Sequence, residues 1–137
     1  MPQIIYLLDT NVISELVKKT PEPQVLNWLQ TVDLLAISVI TVEEVRFGLS
    51  WQPNTGKLAL VGALIDQLHI VYAVTASIAA RAGVLRGQFQ AQGVTRTSPD
   101  MLIAATAQEH QLVLVTRNVQ EFTGCGIQVI NPFSKPA

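Results

Sequence analysis

The acidic and polar residues of greatest chemical interest stand where apolar runs end. They are Asp9 after residues 4–8, Glu43 and Glu44 after residues 35–40, Asp100 at the start of the last long helical pattern, and Thr116, Arg117 and Asn118 after residues 112–115. If these runs are adjacent parallel strands, their carboxyl ends meet at one sheet edge, where ligands bind. Carboxylates held together raise one another's pKa unless a cation lies among them. Oxygen ligands without His or Cys select Mg²⁺ or Mn²⁺.

Several of these residues also have an ordinary structural explanation. Asp9 could cap the helix that follows it, and an Asn such as Asn118 is most often a turn or cap residue in such a loop. Asp100 follows Ser98 and Pro99, an N-cap and N1 pair where negative charge suits the helix dipole. However, Asp100 shares a helical face with small apolar residues, and a carboxylate there is costly unless it is paired or binds a metal. The pattern therefore favours a functional Asp100 and leaves Asp9 open.

The two glutamates at residues 43 and 44 cannot be separated by spacing. Residues 41–44 read Thr-Val-Glu-Glu, which matches a capping box with Thr41 at the N-cap and Glu44 reaching back to its backbone N–H. Glu43 can pair with Arg46 on a solvated face. Both glutamates lie about equally far from the apolar side of the helix at about 100° per residue.

Length and composition indicate a folded protein of about one domain. The chain has 137 residues and a mass of 14.9 kDa, the size of one domain. It is 49% hydrophobic and 14% charged, against about 25% charged in average soluble proteins, which excludes a disordered chain. The apolar runs are far shorter than the roughly 20 residues of a membrane span. The N-terminal sequence has no basic region or cleavage pattern, so we expect a cytoplasmic protein.

Charge and cysteine content restrict the possible partners. The formal net charge of −1 argues against a broad basic surface that grips nucleic acid, so any such contact must be local. Cys125 is the only cysteine, which excludes an internal disulfide and a multi-cysteine zinc site. A mean hydropathy of +0.35 in a chain this small predicts an oligomer or a protein partner.

The periodicity of the sequence predicts an α/β fold. Short apolar runs without strict alternation predict buried strands at residues 4–8, 35–40, 70–74, 112–115 and 127–130. Helical patterns lie at residues 11–18, 23–31, 42–50, 57–67, 76–92 and 99–111. Strands that alternate with helices predict a three-layer α/β/α architecture with a mostly parallel central sheet. No repeat or linker interrupts it, so we expect a single domain over residues 1–137.

Five segments of the chain resemble the PIN-domain family. They read LDTNVISE at residues 8–15, SVITVEEVRFG at 38–48, PDMLIAATA at 99–107, TRN at 116–118 and NPF at 131–133. The sequence is more closely similar to the VapC-type toxins of bacterial toxin–antitoxin pairs, including the FitB-like branch. The resemblance covers essentially the whole chain, and it implies a PIN-like fold.

The resemblance implies an endoribonuclease that depends on Mg²⁺ or Mn²⁺. Asp9 and Asp100 match the aspartates that bind metal in the family. The family pattern T-x-x-E-[LIV]-x-x-G falls on residues 41–48, which selects Glu44 over Glu43. The expected reaction is hydrolysis of an RNA phosphodiester, in which Glu44 positions the water or the cation.

The motif at residues 116–118 departs from the family in one position. The fourth acidic residue of the family falls on Asn118, and an amide there contributes an oxygen but no charge, so we expect one resident metal ion. Thr116 resembles the hydroxyl residue of this motif, and Arg117 is a candidate phosphate contact. The expected catalytic set is therefore Asp9, Glu44, Asp100 and Asn118, with Thr116 and Arg117 binding substrate.

As a VapC-like toxin, the protein would be a homodimer that a cognate VapB-like antitoxin silences, with DNA contacted only through the antitoxin. Its apolar residues supply more surface than one sheet face needs, which suits a helix-in-groove partner. These residues are Val25, Leu26, Trp28, Leu29, Trp51, Leu58, Val61, Leu64 and Ile65. Alternatively, these residues simply complete the core.

Two other functions are compatible with parts of the pattern. A haloacid-dehalogenase-like phosphatase also has an Asp after its first strand, but it needs an acid two residues later, where this chain has Asn11. A catalytically silent PIN-like module that binds RNA or protein remains the main alternative, because Asn118 weakens the acidic set. Metal affinity would distinguish this module from the nuclease.

Overall fold

The computed structural model describes residues 3–134. The outermost residues of the predicted domain, 1–2 and 135–137, lie outside the described residues. The strands are β1 Ile5–Leu8, β2 Leu34–Ser38, β3 Ile70–Tyr72, β4 Val113–Val115 and β5 Val129–Ile130. The helices are α1 Thr10–Leu16, α2 Pro23–Leu29, α3 Val39–Trp51, α4 Thr55–Gln67, α5 Ala76–Ala91 and α6 Ser98–His110, with a 3-10 helix at Val119–Phe122.

Within the described residues the strands form one five-stranded sheet in the order β3-β2-β1-β4-β5. Every neighbouring pair in it is parallel, and Leu7 of central β1 is in register with Ala36 of β2 and Leu114 of β4. Parallel neighbours require crossover connections, which the intervening helices provide. The predicted α/β class with a mostly parallel sheet is confirmed. The carboxyl ends of β1, β2 and β4 consequently lie together at one edge.

Helices cover both faces of the sheet. Leu7 packs into a buried cluster with residues of α5 and α6, including Ile78 and Met101. The next residue of β1, Leu8, points to the opposite face, because side chains alternate along a strand. Leu8 packs with residues of the other four helices, including Val12 and Val61. The predicted three-layer arrangement follows from these two cores.

The starts of two functional helices differ from the sequence prediction. Strand β2 ends at Ser38, whose side chain accepts a hydrogen bond from the backbone N–H of Ile40 at 3.0 Å, so α3 begins at Val39. The predicted capping box is therefore wrong, because Thr41 lies inside the first turn of the helix. The predicted N-cap Ser98 is also displaced by one residue. Thr97 caps α6 and accepts a hydrogen bond from the backbone N–H of Asp100 at 3.2 Å.

The apolar residues that seemed surplus in sequence divide into two groups. Val25 and Val61 are fully buried, and Trp28 packs against the core with its ring edge on Tyr6. Trp51 is 74% exposed and its neighbour one helical turn earlier, Phe47, is 65% exposed. The first group completes the core. The second, which also includes Leu26 at 38% and Leu58 at 44% exposure, stays at the surface. No helix between residues 3 and 134 has the length and apolar character to cross a membrane.

Candidate active site

Asp9 directly follows β1 and is held by hydrogen bonds on both carboxylate oxygens. Its Oδ1 accepts from the backbone N–H of Thr10 at 2.8 Å. Its Oδ2 accepts from the Thr116 hydroxyl at 2.8 Å and from Asn11 Nδ2 at 3.2 Å. Asp9 is the N-cap of α1 and is buried. The sequence leaves two alternatives for Asp9, a helix cap or a member of the carboxylate group. In the structure the same side chain does both.

The pKa of Asp9 is raised above its ordinary value, and burial is the largest cause. Hydrogen bonds from Thr116 and Thr10 favour the charged form and oppose this shift, while the nearby charges of Asp100 and Glu44 raise the pKa again. Burial penalises an ionised carboxylate because the interior solvates it poorly. Asp9 is therefore a carboxylate whose negative charge is incompletely compensated by its protein surroundings.

Glu44, and not Glu43, faces the site. The hydroxyl of Thr10 donates a hydrogen bond to Glu44 Oε1 at 2.6 Å and lies 3.2 Å from the hydroxyl of Thr41. Glu44 is half-buried and Glu43 is exposed. The buried residues of α3 are Thr41 and Val45, and burial of that face turns Glu44 toward Thr10, the orientation that spacing alone left undecided.

Asp100 enters the site from the first turn of α6. Its pKa is raised chiefly by burial, with a hydrogen bond from Thr97 lowering it, the charge of Glu121 raising it and that of Arg96 lowering it. In both Asp100 and Asp9, the folded chain therefore disfavours the ionised form of the carboxyl group. A cation would relieve both.

The segment after β4 contributes three residues with different surroundings. Thr116 is fully buried, and its hydroxyl donates to Asp9 and accepts from the backbone N–H of Asn118 at 3.0 Å. Asn118 is exposed at the cleft. Thr116, predicted to bind substrate, is thus placed against Asp9 instead of at the cleft surface. Its position is that of a support for the carboxylate.

Arg117 is fixed at its backbone and at its guanidinium. Its backbone N–H donates to Asn11 Oδ1 at 3.0 Å. Its guanidinium carbon lies 3.8 Å from the ring centre of Phe133, and its Nη2 lies 3.6 Å from Glu15 Oε1. Arg117 is held beside the carboxylates with about half of its side chain, 48%, exposed.

These side chains line one open cleft of about 370 Å³ at the carboxyl edge of the sheet. Its lining consists of Asp9, Thr10, Asn11, Ser14, Glu15, Lys18, Glu44, Asp100, Arg117 and Asn118. A second cleft of about 660 Å³ adjoins it and shares Asp100, Arg117 and Asn118. The structure therefore brings together every predicted site residue except Thr116, which lies beneath Asp9.

Two acidic residues of this region were missed in the sequence. Glu121 lines the second cleft and is close enough to Asp100 to raise its pKa. It lies three residues after Asn118, which is the one signal that could have suggested it. Its 3-10 helix is held by Arg96, which donates to the carbonyl oxygens of Gln120 at 2.7 Å and Thr123 at 3.0 Å.

The second missed residue, Glu15, is buried on α1. Its pKa is lowered, first by a hydrogen bond from Lys18 and further by the backbone N–H of Glu22 and the charges of Lys18 and Arg117, against the opposing effect of burial. Glu15 therefore stays ionised inside the protein. Its place within the segment 8–15 gave no separate signal, because a Glu at the end of a short helix is usually exposed.

The donor set fits a hard divalent cation. Across residues 3–134, no three His, Cys, Asp or Glu side chains are close enough together to form a metal cluster by themselves. Mg²⁺ does not require one, because it keeps several waters and binds through one or two carboxylates. Asp9 and Asp100 are carboxylates with raised pKa at one cleft, and both would gain from such an ion.

Comparison with known proteins gives a consistent result. The family model described as "PIN domain" matches residues 6–122. A VapC ribonuclease, Y4jK of Sinorhizobium fredii, is 35% identical over 136 residues, covering 93% of this chain and 96% of the relative. The toxin FitB of Neisseria gonorrhoeae is 31% identical over 135 residues, covering 93% and 97%.

Solved structures agree with these relatives. The crystal structure of FitAcB from Neisseria gonorrhoeae has a TM-score of 0.82 at 31% identity and covers 93% of this chain and 98% of that one. A toxin–antitoxin complex from Klebsiella pneumoniae has a TM-score of 0.75 at 27% identity and covers 95% and 99%.

Proposed function

This chain belongs to the PIN domain family, and on that premise we propose that it is the ribonuclease toxin of a toxin–antitoxin pair. The observation that carries the proposal is the convergence of Asp9, Glu44 and Asp100 on one open cleft at the carboxyl edge of the sheet. Relatives named VapC ribonuclease and toxin FitB support it. The proposed reaction is hydrolysis of RNA phosphodiester bonds by a single PIN domain.

Asp9 and Asp100 are the residues that would hold Mg²⁺ or Mn²⁺. A bound ion of this kind polarises the phosphate and lowers the pKa of a water. The protein contributes fixed geometry: Asp9 cannot rotate freely, because hydrogen bonds from Thr10 and Thr116 hold both of its oxygens.

Glu44 is proposed to hold the attacking water. Thr10 occupies Glu44 Oε1 with a hydrogen bond of 2.6 Å, and Oε2 can accept a hydrogen bond from a water in the cleft. A carboxylate in this role orients the water and takes up its proton as the water oxygen bonds to phosphorus. The P–O bond to the leaving ribose oxygen breaks, and that oxygen takes a proton from solvent. Water is the nucleophile, so no covalent enzyme intermediate forms.

Asn118 and Glu121 together are proposed to complete the acidic set. Asn118 offers an amide oxygen at the cleft, while Glu121 supplies negative charge near Asp100 from the next turn. The charge that is absent at residue 118 is thus provided three residues later. Arg117 is the proposed contact to an RNA phosphate.

The proposed partners are a VapB-like antitoxin and a second copy of the chain. A groove of about 330 Å³ runs beside the cleft and shares Ser14 and Glu44 with it, and apolar Val45, Leu49 and Val61 also line it. A helical segment of an antitoxin that filled the groove would lie against the site. DNA would be contacted through the antitoxin, and the proposed location is the cytoplasm.

The test is cleavage of total cellular RNA by the purified chain with Mg²⁺, with Mn²⁺ and with EDTA. Asp9→Asn and Asp100→Asn are each expected to lower the rate by about 100-fold or more, because each would weaken a ligand of the metal and loss even of a partner of such a ligand costs about 10–100-fold. Glu43→Gln is the matched control, because this exposed carboxylate lies beside Glu44 outside the cleft, and it should keep the wild-type rate.

Calorimetric titration with Mn²⁺ separates the remaining outcomes. Wild-type protein that cuts RNA at full rate in EDTA would contradict the metal dependence. Protein that neither binds Mn²⁺ nor cleaves RNA would instead be a silent module that binds RNA or protein, the alternative that the amide at Asn118 supports.

A further inference from the structure

Two basic residues, Lys18 and Arg117, line the acidic cleft within the described chain. They lie far apart in sequence, just after α1 and just after β4. The chain as a whole carries a formal net charge of −1, so attraction for an RNA backbone has to come from a local group of cations. This pair provides positive charge at the side of the cleft near α1.

Glu15 joins the two basic side chains. Its Oε1 accepts a hydrogen bond from Lys18 Nζ at 2.9 Å and lies 3.6 Å from Arg117 Nη2. Its Oε2 accepts from the backbone N–H of Glu22 at 2.9 Å. Only 3% of the Glu15 side chain is exposed. A buried carboxylate bonded at both oxygens has a fixed position, so it can fix the cations that contact it.

Arg117 keeps hydrogen-bonding capacity for a ligand. A guanidinium has five N–H donors, and the contact with Glu15 involves Nη2. Phe133 supports its flat face at 3.8 Å, an arrangement that limits rotation without consuming donors. A planar fork of this kind matches the oxygens of a phosphate.

The three charged side chains of Lys18, Arg117 and Glu15 have a net positive charge, which attracts an anion. Lys18 and Arg117 carry two positive charges, and Glu15 carries one negative charge. Their net charge is one positive charge, next to the carboxylates of the cleft, which repel RNA. The pair therefore attracts a phosphate, whereas the carboxylates in the rest of the cleft attract a cation.

Resting on the proposed function, we propose that Lys18 and Arg117 form a subsite for a backbone phosphate of the RNA strand, and that Glu15 is its positioning residue. Glu15 does not contact RNA in this arrangement. It acts by holding both cations in the geometry that the phosphate needs.

The first test measures binding of a fluorescently labelled single-stranded RNA at several salt concentrations. Ca²⁺, which oxygen ligands also hold, replaces Mg²⁺ so that the RNA is not cut during the titration. Lys18→Gln and Arg117→Gln are each expected to weaken binding about tenfold, as for loss of one charge-assisted hydrogen bond. Each should also reduce the slope of log affinity against log salt by about 0.7, the value for one single-strand phosphate contact. Lys19→Gln is the matched control, because Lys19 is an exposed neighbour outside the cleft lining.

Glu15→Gln distinguishes positioning from simple charge. Removing a negative charge strengthens RNA binding if only net charge matters, whereas loss of positioning weakens it. We expect binding about threefold weaker, within the range of coupling between contacting residues, and nearly the same salt slope as wild type. The double variant Glu15→Gln, Arg117→Gln should lose less than the sum of the two single losses. Unchanged Mn²⁺ affinity and a cooperative melt would show that the fold and the carboxylates are intact.

The outcomes separate this inference from the proposed function. If wild type cleaves RNA but Glu15→Gln binds it as tightly or more tightly, positioning by Glu15 is wrong and the nuclease stands. If Lys18→Gln and Arg117→Gln leave affinity and salt slope unchanged, the subsite is wrong. Wild type that binds RNA without cleaving it, with these variants weakened as expected, supports the subsite and removes the nuclease. Wild type that binds no RNA overturns both.

Discussion

Thr116→Val removes the hydroxyl that supports Asp9 while keeping the shape of the side chain. Thr116 is fully buried and donates to Asp9 Oδ2 at 2.8 Å. The same hydroxyl accepts from the backbone N–H of Asn118 and from Asn11 Nδ2 at 3.1 Å. In the variant, Asp9 therefore loses one hydrogen-bond donor, and the donors of Asn118 and Asn11 lose this acceptor.

The expected loss of unfolding free energy is about 2 kcal/mol. A hydrogen bond to a charged group contributes about 1.5–3 kcal/mol. Asp9 keeps donors from Thr10 and Asn11, and Asn118 is exposed, so water can replace its lost acceptor. These two effects place the loss in the lower half of that range.

Thr106→Val is the matched control for this substitution. Thr106 is also fully buried, but its hydroxyl bonds to the carbonyl oxygen of Leu102 within the same helix at 2.8 Å. Such a bond does little for helix stability, so we expect a clearly smaller loss than for Thr116→Val. The two variants make the same chemical change at equal burial and differ in the group that the hydroxyl supports.

Urea unfolding at pH 7 in EDTA measures both losses. If the slope m is the same for all variants, the shift of the unfolding midpoint multiplied by m gives the difference in unfolding free energy. Equal losses for Thr116→Val and Thr106→Val would refute the reasoning, since they would mean that the bond to Asp9 contributes no more than an ordinary helix hydrogen bond.

Three further predictions follow from the charges and the backbone. The pKa of Glu15 is lowered in the folded protein, so its ionised form stabilises the fold above its unfolded pKa of about 4.5. This contribution disappears as the pH falls through the lower folded pKa. In urea unfolding, wild type should be more stable than Glu15→Gln at pH 7, and the difference should shrink below pH 4.5. Because the pKa of Asp100 is raised, its charge costs stability in metal-free protein at neutral pH. Asp100→Asn should therefore melt at or above the wild-type temperature in EDTA, and Mg²⁺ should not raise its melting temperature as it does that of wild type. An equal rise of melting temperature in both proteins would contradict metal binding by Asp100. Gln111 caps α6 with a positive φ of 56°. A left-handed conformation costs an L-residue roughly 1–2 kcal/mol, and glycine returns about 0.4–1 kcal/mol of this through the entropy of its unfolded state. Gln111→Gly should therefore raise the unfolding free energy by about 0.5–1 kcal/mol, whereas a lower melting temperature would show that the side chain matters more than the backbone.

The order of elements could be predicted from local signals. Short apolar runs such as residues 112–115 form buried strands, because a strand covered on both faces has apolar side chains throughout. The boundaries were less accurate, since they depend on single hydrogen bonds. Ser38, for example, caps α3 and ends β2 two residues before the apolar run does.

Asp9 and Asp100 could be identified as candidates in the sequence, because each follows an apolar run or begins a helix and so has a predictable place at the carboxyl edge. The choice between Glu43 and Glu44 was not available from spacing. It depends on which face of α3 the fold buries, the face of Thr41 and Val45, and only the family pattern indicated it.

The contacts that complete the site join residues far apart in the chain. Thr116 meets Asp9 across 107 residues, and Glu15 meets Arg117 across the same fold. Such contacts depend on which strands are neighbours and how their crossovers aim the following helices, properties that no local window of sequence contains. Local patterns predict the α/β alternation and the acidic residues at strand ends. The parallel order β3-β2-β1-β4-β5 decided which of those side chains share a cleft, because it places the ends of β1, β2 and β4 side by side.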